Sequence, residues 1–168
     1  MIEIGLSLGS NLGRRLANLK RARCTIAATP GIRVLVSSPA YETEPVDVPP
    51  EFRRRRFLNA VVIVASAVPV RGLGARLRAI EEAMGRVRTR QRNAPRVIDI
   101  DVIYAGRRRV RAPHLVVPHP HWASRRFVLQ PLADVRPDLV IPGASRSVRR
   151  VLASLPPAPC ATLLRATW

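Results

Sequence analysis

The stretch that most restricts the fold is PRVIDIDVIYAG, residues 95–106, in which two aspartates interrupt an apolar run. Its side chains alternate in type with a period of two, which predicts a β-strand because successive side chains of a strand point to opposite faces. Asp99 and Asp101 then share one face of the strand. The opposite face carries only apolar side chains, namely Ile98, Ile100, Val102 and Tyr104.

We expect the two aspartates to need a positive partner. Their Cα atoms would lie roughly 6.5 Å apart in an extended strand, and ionised carboxylates this close repel each other on a half-buried face. Oxygen ligands at this spacing suit a hard cation, and magnesium carrying a phosphate group is the common case. The alternative is a pair of solvated aspartates on an exposed strand face.

The order of the predicted elements favours an α+β fold. Apolar patterns predict strands at 2–8, 32–37 and 57–65, and helices at 14–28, 69–85, 122–129 and 147–155. With the aspartate strand, the leading order strand, helix, strand, strand, helix, strand predicts a ferredoxin-like α/β sandwich with a mainly antiparallel sheet. Residues 42–56 predict a long loop, 156–168 an irregular tail, and 1–168 a single domain.

The composition indicates a globular protein with a strong positive field. The chain has 168 residues, is 47% hydrophobic and carries a formal net charge of +18, which attracts anions. No apolar run is long enough to cross a membrane and no signal-peptide layout is present, so we expect no membrane association. Cys24 and Cys160 are isolated and lack metal-site spacing, which points to a reducing, cytoplasmic setting.

Basic residues flank the aspartate strand on both sides. They are Arg86, Arg88, Arg90, Arg92 and Arg96 before it, and His114, His119, His121, Arg125 and Arg126 after it. Arginine forks bind phosphate oxygens, so arginines beside metal-binding carboxylates predict phosphoryl or nucleotidyl transfer. For most of these arginines the alternative is a solvated surface charge, and that alternative is weakest for Arg96 and Arg125.

A second group of candidate residues lies in the apolar run FLNAVV. Phe57 and Asn59 share one face of a central strand, and an aromatic plane beside a buried amide suits a flat heterocycle with a polar edge. The alternative is a core phenylalanine beside an asparagine that bonds to the backbone. The nearby motif GSNLG, residues 9–13, predicts a tight turn before a helix, since it lacks the ending of a phosphate-binding loop.

Six segments occur in one order over most of residues 4–142: GLSLGSNLG, SSPAYETEPV, FLNAVV, IEEAMGRVRTR, PRVIDIDVIYAG and VPHPHWASRRFVLQPLADVRPDLVIP. Together they resemble the 6-hydroxymethyl-7,8-dihydropterin pyrophosphokinase family of folate biosynthesis. The resemblance implies a ferredoxin-like α+β fold. It also implies transfer of the β,γ-pyrophosphoryl group of ATP to the hydroxymethyl oxygen of the pterin, with release of AMP.

The resemblance gives each candidate residue a role. Two magnesium ions would bind Asp99 and Asp101 and bridge the phosphates and the attacking oxygen. The pterin would contact Thr43, Val46, Phe57, Asn59 and Phe127. The nucleotide would contact Glu81, Arg86, Arg96, His114, His119 and Arg125. The catalytic set would be Arg86, Arg96, Asp99, Asp101, His119 and Arg125. We name no side chain as an essential general base, and Asp101 is the better candidate if the reaction uses one.

Three positions depart from the family pattern. Ala94 and Asp47 stand where glycine is usual, and His114 stands where some members have arginine. The loops around Asp47 and Arg90 match segments that close over the substrates in the family.

Two other functions remain as alternatives. A basic nucleic-acid-binding module would leave the aspartate pair unexplained in a chain with 4% aromatic residues. A nucleotidyltransferase would use the same carboxylates and release pyrophosphate rather than AMP. We therefore expect ATP and the pterin as partners, no nucleic acid, and a monomer.

Overall fold

The computed structural model describes residues 1–46, 48–87 and 94–168. Its strands are β1 (Ile2–Ser10), β2 (Ile32–Ser37), β3 (Ala40–Thr43), β4 (Phe57–Ser66), β5 (Asp99–Ala105), β6 (Val110–Ala112), β7 (Leu115–Val117) and β8 (Ala161–Arg165). Its α-helices are α1 (Arg15–Ala27), α2 (Val70–Ala83), α3 (Arg126–Val135) and α4 (Val148–Ala153). No helix within the described ranges is long and apolar enough to span a membrane.

The six-stranded main sheet is built around β4. Every residue of β4 after Phe57 is buried, as expected for a strand with neighbours on both edges. β1 pairs with one edge of β4, while β2 and β3 follow one another along the other edge. β5 lies outside β1, β8 lies outside β3, and every pairing among these described strands is antiparallel. The predicted α+β fold with a mainly antiparallel sheet is confirmed, and the ferredoxin-like arrangement stays a prediction.

The two faces of this sheet are covered to different extents. α1 and α2 pack across one face, on a core that includes Leu6 and Leu8 of β1. α3 and α4 cover the other face around Val61 and Ile63. The rest of that second face is formed by residues near one end of each of the strands β1, β3, β4 and β5. It carries small and polar side chains together with Phe57, and it lies open as a pocket.

A β-bulge in β5 interrupts the predicted alternation. The register between β5 and β1 shifts so that Ile103 is an extra residue opposite β1. Tyr104 therefore lies on the same face as the two aspartates, and the prediction that it lies on the opposite face is wrong. Its ring fills the space beside Gly5, where an added Cβ would lie 2.3 Å from the ring. Its hydroxyl donates to Glu3 Oε1 at 2.7 Å.

The C-terminal segment contains regular structure. The prediction of an irregular tail over 156–168 is wrong for β8, which pairs with β3 at the edge of the sheet. Trp168 is buried, and its Nε1 donates to the carbonyl oxygen of Ser38 at 2.7 Å. The guanidinium of Arg23 lies 4.9 Å from the centroid of the Trp168 ring. The side chains of β8 are mostly exposed, so its own sequence carries no period-two signal.

Two other predicted boundaries shift. The loop predicted for 42–56 loses its first two residues to β3 and contains a 3-10 turn at Pro50–Phe52. The helix predicted for 122–129 divides into a 3-10 turn at Trp122–Ser124 and α3, which extends beyond it.

We expect Trp168→Ala to lower the free energy of unfolding by about 3 kcal/mol, because removing a large buried side chain leaves a cavity. Trp168→Phe keeps most of the apolar volume and loses the hydrogen bond to Ser38, so it should cost about 1 kcal/mol. Urea denaturation followed by circular dichroism measures both values. Small and equal losses in the two variants would contradict an anchoring role for this side chain.

Candidate functional site

Two adjoining cavities share Asp99 and Asp101. The first lies over the ends of β1, β3 and β4 and extends to α3. The second lies between α2, β5 and β7 and contains Glu81, Arg86 and His114. The two carboxylates therefore lie where the cavities meet, so a cation bound between the carboxylates could contact ligands in both cavities.

Asp99 is held by two arginines. The Arg86 guanidinium contacts the carboxylates of both Asp99 and Glu81, and Arg96 Nη1 lies 3.2 Å from Asp99 Oδ2. Burial disfavours the charge of Arg86, but the two carboxylates outweigh it and raise the pKa of the guanidinium. The Arg86 side chain is 15% exposed, so these ion pairs are only weakly screened by solvent.

Asp101 has no such partner. No hydrogen bond or ion pair joins its carboxylate to the residues that the structure describes. Burial raises the pKa of Asp101 to about 7, the carboxylates of Asp99 and Glu81 add to this rise, and Arg125 and Arg96 offset it only in part. Among the described residues, Asp99 therefore has direct cationic partners and Asp101 has none.

The donor set fits magnesium. Among the described residues no three His, Cys, Asp or Glu side chains form a group that could hold a metal ion unaided. Asp99 and Asp101 would therefore supply two hard oxygen ligands, and phosphate oxygens and water would complete the shell.

Glu81 connects α2 to the aspartate strand. It is 2% exposed, and its Oε1 accepts a hydrogen bond of 2.7 Å from the backbone N–H of Ile100. The same carboxylate contacts Arg86. Glu81 thereby fixes the outer edge of β5 and the arginine that faces Asp99.

Two phenylalanines line the first cavity. Phe57 begins β4 and Phe127 lies in the first turn of α3. Each ring has an arginine beside it: Arg96 Cζ lies 5.7 Å from the Phe57 centroid, and Arg125 Cζ lies 5.5 Å from the Phe127 centroid. Aromatic surfaces and guanidinium groups therefore meet at the wall that faces the aspartates.

The polar floor of the first cavity is formed by Asn59 and Thr43. Asn59 Nδ2 donates to Thr43 Oγ1 at 2.6 Å, and both side chains are buried. The alternative predicted for Asn59, a bond to the backbone, is not the contact that its Nδ2 makes. Gly9 leaves room for this amide, because an added Cβ would lie 2.8 Å from Asn59 Oδ1.

His119 lies beside the site rather than in its lining. It borders a separate groove, and its backbone N–H donates to Ile103 O at 2.9 Å. Its ring Nδ1 accepts from the backbone N–H of His121, and Nε2 lies 3.5 Å from Arg125 Nη1. Burial lowers the pKa of His119 to about 4, with further lowering by Arg125 and His121.

The structure brings most predicted site residues together. The first cavity contains all five predicted pterin contacts, Thr43, Val46, Phe57, Asn59 and Phe127, together with Arg96 and Arg125. The second contains the exposed His114 with Glu81 and Arg86. Asp47, Arg88, Arg90 and Arg92 lie outside the described residues.

Three residues of the first cavity were missed. Ser7 and Gly9 of β1 line it, and a signal for them existed, because small residues alternate with leucines along this strand. Glu44 also lines it, and its loop carries no periodic pattern that would have indicated this position.

Comparison with known proteins points to one family. A family model described as 7,8-dihydro-6-hydroxymethylpterin-pyrophosphokinase (HPPK) matches residues 5–137, which include every residue that lines the first cavity. A Methylorubrum extorquens protein named 2-amino-4-hydroxy-6-hydroxymethyldihydropteridine pyrophosphokinase is 46% identical over 157 residues, 94% of this chain and 96% of that protein. A Pseudomonas aeruginosa protein of the same name is 35% identical over 92% of each chain.

Solved structures of longer proteins share the fold. Plasmodium falciparum wild-type HPPK-DHPS with pteroate matches 90% of this chain and 42% of its own, with a TM-score of 0.69 and 15% identity. An HPPK-DHPS structure in complex with substrates matches 91% of this chain and 43% of its own, with a TM-score of 0.67. The chain thus spans less than half of those chains, and matches at this identity show the fold alone.

We expect the His119 ring to stay neutral in weakly acidic solution. Its pKa of about 4 lies below the ordinary value of 6.5, so the unfolded chain takes up a proton before the folded protein does. Stability from this ring is full above pH 6.5 and is lost as the pH falls through 4. An NMR titration should show the low midpoint, and His119→Gln should flatten this part of the stability curve. A ring midpoint at the ordinary value would contradict the assignment.

Proposed function

The chain belongs to the 7,8-dihydro-6-hydroxymethylpterin-pyrophosphokinase family, and we propose that its two cavities bring a hydroxymethyldihydropterin and ATP together. The activity is a pyrophosphokinase reaction of folate biosynthesis. The hydroxymethyl oxygen bonds to the β-phosphorus of ATP, the bond from that phosphorus to the AMP oxygen breaks, and the hydroxyl loses its proton. The proposal rests above all on the position of Asp99 and Asp101 between the cavities.

The first cavity would hold the pterin. Phe57 and Phe127 offer aromatic surfaces for a flat ring, and the buried Asn59 and Thr43 offer polar atoms for its edge. Val46 lies exposed at the rim, where its backbone would contact the same edge. A ring that matches these polar atoms is favoured over one that leaves a buried amide unpaired.

The second cavity would hold part of the nucleotide beside Glu81 and His114. Its phosphates would then lie toward Arg86, Arg96 and Arg125, whose guanidinium groups suit phosphate oxygens. Within the described residues Arg125 contacts the Phe127 ring and His119 but no carboxylate, so it has charge available for a phosphate. His119, next to Arg125, would contact the phosphates as a neutral donor.

We propose two magnesium ions held by Asp99 and Asp101. When bound, they would neutralise phosphate charge and make the hydroxyl oxygen a better nucleophile. The residues of the chain would orient the two substrates in line and stabilise the charge that develops on the leaving AMP. Arg96 and Arg125 would serve that second task, since both line the first cavity together with the aspartates.

We also propose that the chain works as a monomeric single domain in the cytoplasm, without nucleic acid. The first strand, β1, and the last, β8, belong to the same six-stranded sheet, which supports a single folding unit. Cys24 and Cys160 are free thiols on the surface, which supports a reducing compartment.

Product analysis tests the proposed reaction. With ATP, magnesium and 6-hydroxymethyl-7,8-dihydropterin, we expect AMP to form, and to form only when the pterin is present. Nucleotidyl transfer would instead release pyrophosphate. Chromatographic separation of AMP from pyrophosphate therefore decides between the two reactions that the carboxylates could serve.

The same assay tests the aspartates. Asp99→Ala and Asp101→Ala should each lower kcat about a thousandfold, because each removes one of two ligands for the charge-neutralising ions. Asp138→Ala is the matched control, since Asp138 forms a surface ion pair with Arg149 far less buried than those of the site. Wild-type rates in either site variant, with the fold intact, would sink the proposal.

Gly9→Ala should weaken pterin binding about tenfold or more. The added Cβ would lie 2.8 Å from Asn59 Oδ1, so the amide must move and its bond to Thr43 must stretch. Gly72→Ala is the control, because its Cβ would make an ordinary contact with Val68. Fluorescence titration with the pterin measures the affinity of both variants. Equal affinities would show that the Asn59 amide does not contribute to pterin binding.

A further inference from the structure

The turn GSNLG, residues 9–13, is a motif that the proposed function leaves largely unused. Its asparagine, Asn11, follows the last residue of β1 and is 5% exposed. A buried asparagine requires hydrogen-bond partners, because unpaired amide groups are costly in a protein interior. The hydrogen-bond partners of its backbone N–H and of its Oδ1 lie in the segment that leads into β5, whereas its buried Nδ2 has none among the described residues.

Asn11 holds both backbone groups of Arg96. Asn11 N donates to Arg96 O at 3.2 Å, and Arg96 N donates to the side-chain Oδ1 of Asn11 at 2.8 Å. The ladder between β1 and β5 ends at the pair Gly9 and Asp99. The side chain of Asn11 therefore supplies an acceptor beyond the point where backbone pairing has stopped, and one residue fixes the main chain at Arg96.

The position of that main chain decides where the Arg96 guanidinium can reach. Its Nη1 lies 3.2 Å from Asp99 Oδ2, and its Cζ lies 5.7 Å from the Phe57 centroid. The arginine side chain is long and flexible, so a displaced backbone would let it leave the carboxylate. Arg96 Nε is buried and has no hydrogen-bond partner among the described residues, a donor that a phosphate oxygen could satisfy.

We propose that Asn11 is a positioning residue that holds the Arg96 backbone so that the guanidinium lies between Asp99 and Phe57. The proposal rests on the proposed function, because Arg96 matters there as a phosphate ligand. Asn11 acts through Arg96 and lines neither cavity. Because the proposed function makes Arg96 a ligand of the reacting phosphates, the loss on changing Asn11 should fall on kcat more than on pterin affinity.

A double-mutant cycle tests this dependence. Asn11→Ala should lower kcat about tenfold in the wild-type background, which corresponds to the loss of one hydrogen bond. In the Arg96→Ala background the same change should have no further effect on kcat, because the guanidinium that it positions is gone. An equal loss in both backgrounds, or a wild-type kcat for Asn11→Ala alone, would overturn the proposal.

Two further variants separate positioning from folding. Asn11→Asp keeps an acceptor oxygen for the Arg96 N–H, so its kcat should be close to that of the wild type. This variant tests the proposal even if Asn11→Ala folds poorly. Asn18→Ala is the matched control, because Asn18 Nδ2 donates to Ser10 Oγ and Leu12 O in the same turn without touching Arg96. It should keep the wild-type kcat. A loss equal to that of Asn11→Ala would mean that the turn acts only through stability.

Hydrogen exchange at the Arg96 amide, read by NMR without substrates, is independent of the reaction. It should be faster in Asn11→Ala than in the wild type and unchanged in Asn18→Ala. If exchange is faster in Asn11→Ala but the wild type forms no AMP, the proposed function is overturned and the link between Asn11 and Arg96 is kept. If the wild type forms AMP but exchange at the Arg96 amide is unchanged in Asn11→Ala, the link between Asn11 and Arg96 is overturned.

Discussion

The carboxylates of Asp99 and Asp101 impose the main electrostatic constraint on this structure. Asp99 is paired with Arg86 and Arg96, whereas no side chain among the described residues pairs with Asp101. Burial and the neighbouring carboxylates accordingly raise the pKa of Asp101 to about 7. The chain has a net charge of +18, yet none of the arginines that the structure describes forms an ion pair with this carboxylate. That imbalance is what a site completed by a cation and phosphates requires.

The cavity that receives these carboxylates exists because one face of the sheet changes character along β4. On that face Val61 and Ile63 lie under α3 and α4, whereas Asn59 lies beyond the helices and bonds to Thr43. Small residues on the same face of β1 let polar side chains lie close to the strand: an added Cβ at Gly9 would lie 2.8 Å from Asn59 Oδ1. The change from apolar to polar residues within one strand therefore marks the boundary between core and site.

Features that depend on a local pattern were predictable from the sequence. Alternation around Asp99 indicated the strand and the shared face of the two aspartates, and motif resemblance indicated most cavity residues. Contacts between distant segments were not predictable in this way. The bulge in β5 depends on Gly5 lying beside Tyr104. The hydrogen bond that holds the Arg96 backbone depends on Asn11, which follows β1. No periodicity within either segment reports which residue of the other lies opposite.

β5 sets the relative positions of the charged groups around the site. Glu81 bonds to the N–H of Ile100, and His119 bonds to the carbonyl of Ile103, so both flanking segments are attached to this one strand. A slip of one residue in its pairing with β1 would turn both aspartates into the apolar core. The bulge at one end of the strand and the Asn11 contact before its other end oppose such a slip. The register of β5, more than any single ion pair, therefore determines that carboxylates and arginines meet at the junction of the cavities.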